Sequence, residues 1–208
     1  MTAEYTLDEI ERFDRQWTDQ FAVRCGWKEH FLTDPVDDLY LFFDHIPNSK
    51  MLDVGCGWGR YIFRFFDQGL AYQGIDHSVE MLKVARKDNP EASFHEGSFR
   101  VLPFPTDHFD GIWSCCSLSA VPRAHLVEVL QEHLRVLKPG GVMYIVMPAP
   151  PESQEMLYRD DNGNPEIYQA HYHLDEFEEH VKKSGLRIIE SDYRPTKGSF
   201  FVLAQKLN

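Results

Sequence analysis

A short apolar strand that runs directly into a glycine-rich turn constrains the fold of this chain more than any other feature. Residues 51–54 read Met-Leu-Asp-Val, and Gly55, Gly57 and Gly59 follow at alternate positions. Glycines let the backbone turn sharply and approach a ligand closely. A helix beginning at Arg60 would then offer free backbone N–H groups and a positive dipole end to that ligand. The segment therefore predicts a strand, a ligand-binding turn and a helix.

The spacing of these glycines differs from that of the dinucleotide-binding fingerprint. That fingerprint requires Gly-x-Gly-x-x-Gly. Here the third glycine comes one residue early, at Gly59, and Arg60 stands at the sixth position. A nicotinamide-dependent oxidoreductase is therefore the less favoured interpretation, and the turn alone is weak evidence for any one ligand.

Strand and helix patterns alternate along the rest of the chain. Hydrophobic periodicity predicts strands at residues 50–54, 71–75, 92–95, 110–115, 142–147, 186–193 and 198–205. It predicts helices at residues 60–68, 79–87, 123–137 and 175–184, with Ser78 as the N-cap of the second. Such alternation favours an α/β fold with a mostly parallel, seven-stranded sheet and helices on both faces. The connection between the last two strands has the length of a hairpin, so the last strand is predicted to run antiparallel.

Two segments are predicted to lack regular structure. Residues 138–141 read Lys-Pro-Gly-Gly, which predicts a helix stop and a tight turn. Residues 148–169 contain several prolines and a glycine, which predict a loop.

The first 47 residues are predicted to form a separate helical segment that ends at Pro47 and Asn48. Helical spacing relates two sets of apolar residues: Ile10, Phe13, Trp17 and Phe21, then Leu39, Phe42, Phe43 and Ile46. We expect residues 1–47 to act as a lid or cap and residues 48–208 to form the ligand-binding domain. A lid would cover an aromatic or apolar substrate with Trp17, Phe21, Trp27, His30 and Phe31. The alternative is simple packing of an added helix onto the sheet.

An acidic residue stands at the predicted end of the second strand. Asp76 follows the glycine turn by about 20 residues, where a carboxylate can accept hydrogen bonds from both hydroxyls of a ribose. The alternative is a carboxylate that caps a helix or a loop. Its pairing with the glycine turn favours the ribose contact.

Three further motifs complete an ordered set. Glu96-Gly97-Ser98-Phe99 precedes Leu102-Pro103-Phe104, and residues 109–114 and 135–141 follow. Together with residues 53–59 and 74–76, this set resembles the class I S-adenosylmethionine-dependent methyltransferases, in particular the small methyltransferases close to those of quinone biosynthesis. The resemblance covers about residues 51–207. It implies a Rossmann-like fold, S-adenosylmethionine as cofactor, and the antiparallel last strand.

The resemblance also implies a role for individual residues. Asp53 would contact the methionine amino group, and Asp76 would hold the ribose. The remaining cofactor contacts would come from Gly55, Gly57 and Gly59 around the methionine and ribose, His77 and Met81 beside the adenine, Ser98 and Phe99 at its polar edge, and Ser114 and Cys115 near the reacting methyl group. The family often has Asp where this chain has Ser98, and a serine hydroxyl is a weaker acceptor with a shorter reach.

Candidates for a general base are few in this chain. His171 and His173 precede the predicted helix at residues 175–184 and would share one side of an extended stretch. We predict that they are the catalytic residues, as a base or a substrate contact, because a hydroxyl acceptor must lose a proton. The alternatives are a solvent-facing or structural pair and, least favoured, a metal site.

Charge and cysteine content bear on partners and location. The formal net charge is −12, and no cluster of Lys and Arg marks a phosphate-binding surface. The four cysteines form no Cys-x-x-Cys pair. We therefore expect a cytoplasmic monomer or homodimer without metal, nucleic acid or membrane partners. The predicted function is methyl transfer from S-adenosylmethionine to a small-molecule acceptor, with oxygen slightly favoured. A non-catalytic module that binds the cofactor is the main alternative.

Overall fold

The computed structural model of the chain describes residues 6–24, 36–46, 49–149, 151–159 and 165–207. Its α-helices are α1 (Leu7–Arg24), α2 (Val36–Phe43), α3 (Ile62–Asp67), α4 (Val79–Asp88), α5 (Leu126–Val136) and α6 (Leu174–Lys183). Its strands are β1 (Lys50–Val54), β2 (Ala71–Asp76), β3 (Ser93–Glu96), β4 (Phe109–Cys115), β5 (Leu137–Pro148), β6 (Glu155–Arg159), β7 (Pro165–Ala170), β8 (Leu186–Arg194) and β9 (Ser199–Lys206).

Seven of these strands form the central sheet, in the order β3-β2-β1-β4-β5-β9-β8. The first five in that order pair in parallel, whereas β9 runs antiparallel to both β5 and β8. The predicted fold class and the reversal of the last strand are therefore confirmed. The chain runs from β1 through β2 to β3 toward one edge of the sheet, and then crosses back to place β4 and β5 on the other side of β1. A crevice opens at such a switch point, beyond the carboxyl ends of the strands.

Apolar layers cover both faces of the sheet. One layer packs α5 and α6 against the sheet, and the other packs α2 and α3. Successive side chains of β4 point to opposite faces of the sheet, so Ile112 belongs to the first layer and Trp113 to the second. Trp113 stacks on Tyr144 of β5 with ring centroids 5.0 Å apart, and Tyr144 stacks on Phe201 of β9 at 5.3 Å. These rings hold three adjacent strands together beneath the crevice.

Local sequence signals agree with several element boundaries. Ser78 is the N-cap of α4, and its hydroxyl accepts a hydrogen bond from the backbone N–H of Met81 at 3.2 Å. The predicted helix at residues 123–137 is α5, preceded by a 3-10 turn over Arg123–His125.

The predicted turn at residues 138–141 is wrong, because these residues belong to β5. Leu137 pairs with Phe109 of β4, and the register shifts before Gly111 pairs with Val142. A Cβ atom at Gly141 would lie 2.9 Å from the carbonyl oxygen of Asp110. The glycine therefore permits close contact between two strands rather than a chain reversal.

The predicted loop at residues 148–169 is wrong in part, because β6 and β7 form a separate antiparallel hairpin. Leu157 pairs with Tyr168, and Met156 pairs with Gln169. The prolines that suggested a loop lie before β6 or begin β7, so they do not interrupt the hairpin. This hairpin brings Tyr168 and Gln169 to the crevice.

Some sequence predictions lie outside the described residues. They concern Cys25, Trp27, His30, Phe31, Pro47, Asn48 and the side chain of Phe21. Within the described ranges, no helix has the length and apolar character needed to span a membrane.

Candidate functional site

A cavity of about 400 Å³ lies at the carboxyl ends of β1, β2 and β4. The glycine turn after β1 and the residues that follow β2 and β4 form its floor. Asp14, Trp17 and Thr18 of α1 and residues 167–169 of β7 close it from above. The switch point of the sheet thus coincides with a cavity large enough for a nucleoside-sized ligand.

The turn after β1 has the backbone conformation that its glycines suggest. Gly55, Gly57 and Gly59 have φ values of +72°, +53° and +76°. The backbone N–H groups of Gly55 and Cys56 both donate to the carbonyl oxygen of Ile75, at 2.9 and 3.1 Å, which ties the turn to β2. A Cβ atom at Gly55 would lie 2.4 Å from the Cβ atom of Ser117, so only glycine fits there. Gly55 and Gly57 line the cavity, whereas Gly59 does not touch it.

Asp76 lines the cavity at the end of β2 and is 9% exposed. Its two carboxylate oxygens accept hydrogen bonds from the backbone N–H groups of Gly57 and Ser78, both at 2.8 Å. Burial raises the pKa of Asp76, and neighbouring His77 and the two N–H donors act in the opposite direction. Each oxygen keeps a second lone pair for a ligand hydroxyl, which is the geometry that the ribose prediction requires.

Asp53 lines the same cavity from β1 and is 4% exposed. The hydroxyl of Tyr72 donates to one of its oxygens at 2.9 Å. Burial raises the pKa of Asp53 to about 7, although the hydrogen bond from Tyr72 lowers it. A nearly buried carboxylate with only one protein donor in the described structure is suited to a cationic ligand group.

Of the four residues predicted to lie around the adenine, three line the cavity and one does not. His77, Met81 and Phe99 line the cavity, and the rings of His77 and Phe99 have centroids 6.4 Å apart. The Nδ1 atom of His77 is buried and has no hydrogen-bond partner among the described residues. Ser98 is not in the cavity wall, and its hydroxyl instead accepts a hydrogen bond from the backbone N–H of Arg100 at 3.1 Å.

The two residues predicted beside the reacting methyl group also differ in whether they line the cavity. Cys115 lines the cavity, whereas Ser114 is fully buried and its Oγ lies 2.7 Å from the Oγ of Ser117. The Ser117 hydroxyl donates to the carbonyl oxygen of Val54 at 2.9 Å. Ser114 therefore contributes to the link between β4 and the glycine turn instead of facing a ligand.

The two histidines do not share a side. His171 is 8% exposed and His173 lies on the surface, because the chain turns into α6 immediately after His173. Neither residue is in the cavity wall. The Nε2 atom of His171 lies 3.1 Å from the amide oxygen of Gln169, which does line the cavity. Burial lowers the pKa of His171, and Arg123 adds to this shift. The catalytic roles of His171 and His173 remain predictions.

Sequence reasoning missed several residues of the cavity wall: Asp14, Thr18, Arg60, Tyr61, Trp113, Cys116, Ser117, Tyr168 and Gln169. Arg60 was noted only as a departure from the dinucleotide fingerprint, and its guanidinium lies 5.2 Å from the centroid of the Tyr61 ring. Asp14 and Thr18 of α1 and the wall residues of β7 carry no signal along the chain, because only tertiary packing brings them to the cavity. In the part of the chain that the structure describes, no cluster of three or more His, Cys, Asp or Glu residues could hold a metal ion.

Comparisons with known proteins agree with this fold and cavity. Residues 51–141 match the family model described as a methyltransferase domain. An uncharacterised methyltransferase of Synechocystis sp. is 31% identical over 125 residues, which are 60% of this chain and 57% of that protein. A demethylmenaquinone methyltransferase of Lysinibacillus sphaericus is 37% identical over 129 residues, which are 59% and 51% of the two chains. This chain thus spans about half the length of the curated relatives it matches.

A solved structure extends the likeness to the whole chain. The 1,6-didemethyltoxoflavin-N1-methyltransferase of Burkholderia thailandensis, with bound 1,6-didemethyltoxoflavin and S-adenosylhomocysteine, matches with a TM-score of 0.79 at 18% identity. The match covers 100% of this chain and 93% of that one. This likeness confirms the fold.

Proposed function

Because the chain has the fold and the central motifs of a class I S-adenosylmethionine-dependent methyltransferase, we propose that it transfers a methyl group from S-adenosylmethionine to a small molecule. The observation that carries the proposal is the cavity at the sheet switch point, where Asp53 and Asp76 stand on either side of the Gly55–Gly57 turn. A carboxylate for an ammonium group and a carboxylate for a sugar diol are what this cofactor requires.

The residues of the cavity fit the cofactor. Asp76 is held by two backbone N–H groups, so its oxygens are oriented before a ribose arrives. Asp53 would pair with the methionine ammonium, and the Arg60 guanidinium in the same wall offers a partner for the methionine carboxylate. The buried Nδ1 atom of His77, without a partner among the described residues, is the type of group that a bound nucleobase satisfies.

The bound sulfonium supplies an activated methyl group, so the protein need not generate an electrophile. What remains for the chain is to hold the acceptor in line with that methyl, with reacting atoms about 3–3.5 Å apart, and to exclude water. Cys115 and Cys116 lie at the end of β4 beside this position. Trp17 of α1 and Tyr168 of β7 cover the cavity and would keep water out. Residues 1–47 are accordingly proposed as a lid over the domain formed by residues 48–208.

The acceptor is proposed to be a small aromatic or apolar molecule with a nucleophilic oxygen. The wall beyond the glycine turn includes the rings of Trp17, Tyr61, Trp113 and Tyr168, which suit a flat, uncharged molecule. A hydroxyl acceptor must lose a proton. We propose that His171 fixes the orientation of Gln169, whose amide lines the cavity and can accept a hydrogen bond from the acceptor hydroxyl, while the proton itself is lost to water. His173 is the second candidate, although it lies on the surface.

Calorimetric titration of the full chain with S-adenosylmethionine, S-adenosylhomocysteine and NAD tests the cofactor. We expect the first two to bind and NAD not to bind. Methyl transfer is tested with donor labelled on the methyl group and a panel of phenols, hydroquinones, amines and thiols, by measuring label in the acceptor and release of S-adenosylhomocysteine. Binding without transfer to any acceptor would favour the non-catalytic module, and binding of NAD alone would contradict the proposal.

The proposal also includes a cytoplasmic setting, no nucleic-acid partner, and a monomeric or homodimeric state. The net charge of −12 supports the absence of a nucleic-acid partner, because it disfavours anionic polymers. The free thiols of Cys56, Cys115 and Cys116 support the cytoplasmic setting, because disulfides are rare there. Size-exclusion chromatography with light scattering measures the oligomeric state directly, and a trimer or larger assembly would contradict this part.

A further inference from the structure

Helix α1 carries a third carboxylate into the cavity, beside those of Asp53 and Asp76. The side chain of Asp14 is 13% exposed, and its Oδ2 atom lies 3.3 Å from the Nε2 atom of His77. Burial raises the pKa of Asp14 to about 6, and His77 beside it acts in the opposite direction. At pH 7.5 the group is therefore a charged acceptor that faces the ligand space. A buried carboxylate of this kind is costly to the fold unless something pairs with it.

A cluster of polar contacts holds α1 in one position over the cavity. Asp19 accepts hydrogen bonds from the Ser78 hydroxyl and the Glu80 backbone N–H at the start of α4. Arg15 pairs with Glu96 at the end of β3. Arg100 donates to Asp8 and Glu11, each at 2.8 Å. These contacts lie before and after Asp14 along α1 and fix the rotation of the helix about its axis. The side chain of Asp14 is therefore held in the direction of the cavity.

Three of the described residues bring carboxylates to the cavity wall, and those of Asp53 and Asp76 are already assigned to the ammonium group and the ribose. Ser98 is outside the wall and is engaged by the backbone N–H of Arg100. Glu96 is half exposed and paired with Arg15. Asp53 and Asp76 lie at the ends of β1 and β2, next to the glycine turn. Asp76 also neighbours His77, but its two oxygens are held by the backbone N–H groups of Gly57 and Ser78. Asp14 therefore remains as the described wall carboxylate that contacts His77, a ring expected beside the adenine, without another assigned role.

We propose that Asp14 accepts a hydrogen bond from the exocyclic amine of the cofactor's adenine, so that the N-terminal helix selects the nucleobase. The inference rests on the proposed function, since it presumes the adenosyl ligand. It makes α1 part of the cofactor site rather than only a cover, although α1 lies outside the matched methyltransferase domain. Asp14 is thus a specificity-determining residue for the cofactor, and its contribution is separable from that of the ribose and methionine contacts.

The test compares S-adenosylhomocysteine with S-inosylhomocysteine, in which a carbonyl oxygen replaces the adenine amine. Calorimetric titration of the full chain at pH 7.5 gives the two dissociation constants. We expect the wild type to bind the adenosyl ligand about tenfold tighter or more, because the inosyl carbonyl would face the Asp14 carboxylate without a proton between them. In Asp14→Asn the side-chain amide can donate to that carbonyl, so we expect the ratio to fall to about 3 or less.

Asp19→Asn is the matched control, since it removes one acidic charge from the same helix outside the cavity wall, while its amide oxygen can still accept from the Ser78 hydroxyl and the Glu80 backbone N–H. It should leave the wild-type ratio of the two dissociation constants unchanged. An unchanged ratio in Asp14→Asn, or equal binding of the two ligands by the wild type, would overturn the inference while leaving the proposed function intact. A wild type that binds neither ligand would contradict the proposed function itself.

Discussion

The hydroxyl of Tyr72 donates a hydrogen bond of 2.9 Å to Asp53, across the pair of parallel strands β1 and β2. Both side chains are almost fully buried. This bond is the principal contact in the described structure that favours the charged form of Asp53, against the burial that raises its pKa to about 7. Binding of an ammonium group at Asp53 should therefore depend on pH near neutrality.

The first prediction is that affinity for S-adenosylhomocysteine rises with pH through about 7 and levels off above it, because only the Asp53 carboxylate pairs with an ammonium group. Tyr72→Phe removes the hydrogen bond that lowers this pKa, so the midpoint should move to higher pH. Calorimetric titration between pH 5.5 and 9 measures both midpoints. If Tyr72→Phe leaves the midpoint unchanged, a group other than Asp53 causes the pH dependence of affinity.

The second prediction concerns stability without ligand. The pKa of Asp53 is about 7 in the folded chain, well above that of an aspartate in an unfolded chain. The unfolded chain therefore releases this proton first, and the group's contribution to the free energy of unfolding falls as pH rises from about 4 to about 7. Asp53→Asn should remove this part of the pH dependence and raise the free energy of unfolding at pH 8 by about 1–3 kcal/mol.

Chemical denaturation at pH 5 and pH 8 tests this expectation. The same variant should lose affinity for S-adenosylhomocysteine, because it lacks the charge that pairs with the ammonium group. A variant that is less stable than the wild type at pH 8 would show that the buried charge of Asp53 does not destabilise the fold.

The third prediction distinguishes two tasks of Asp76. Asp76→Ala should weaken binding of S-adenosylhomocysteine by about 2–3 kcal/mol, since a charged hydrogen-bond acceptor is lost. It should also destabilise the fold by about 1–3 kcal/mol, because the N–H groups of Gly57 and Ser78 lose their partner. Asp76→Asn keeps one acceptor oxygen and should retain more of both. If Asp76→Ala binds the ligand as the wild type does, the ribose assignment is wrong.

The fourth prediction compares two glycines that both have positive φ. Gly55→Ala should destabilise the fold by about 2–4 kcal/mol, because its φ is +72° and its Cβ atom would lie 2.4 Å from that of Ser117. Gly198→Ala is the control: its φ is +58°, and no atom lies within 4 Å of the added Cβ. It should cost only about 1 kcal/mol. Equal losses in thermal unfolding would mean that Ser117 yields and that the steric argument fails.

The fifth prediction concerns His171. His171→Ala should slow methyl transfer while leaving affinity for S-adenosylhomocysteine nearly intact, because its side chain is outside the cavity wall and bonds the wall residue Gln169. His125→Ala serves as the control, since its side chain is 42% exposed and does not line the cavity. Turnover that His171→Ala does not change would remove it as a participant, and a loss confined to His173→Ala would transfer the role to that residue.

The comparison of sequence and structure separates two kinds of residue. Asp53, Gly55, Gly57 and Asp76, which the sequence predicts to bind the cofactor, line one cavity because they lie at or just after the carboxyl ends of parallel strands, which meet at the same edge of the sheet. Ser98 and Ser114 belong to the same motifs, but their side chains bond elsewhere in the protein. A motif specifies where the backbone passes, whereas the direction of each side chain depends on partners distant in the chain.

The seven strands of the central sheet and the helices between them were determined in their order along the chain by the sequence itself, because hydrophobic periodicity, the glycine turn and the Ser78 cap act over a few residues. Only the tertiary structure decided that Asp14 of α1 and Gln169 of β7 complete the cavity. It also decided that His171 is buried while His173 is exposed. These placements arise from packing between segments far apart in the chain, and no local pattern encodes which surfaces will meet.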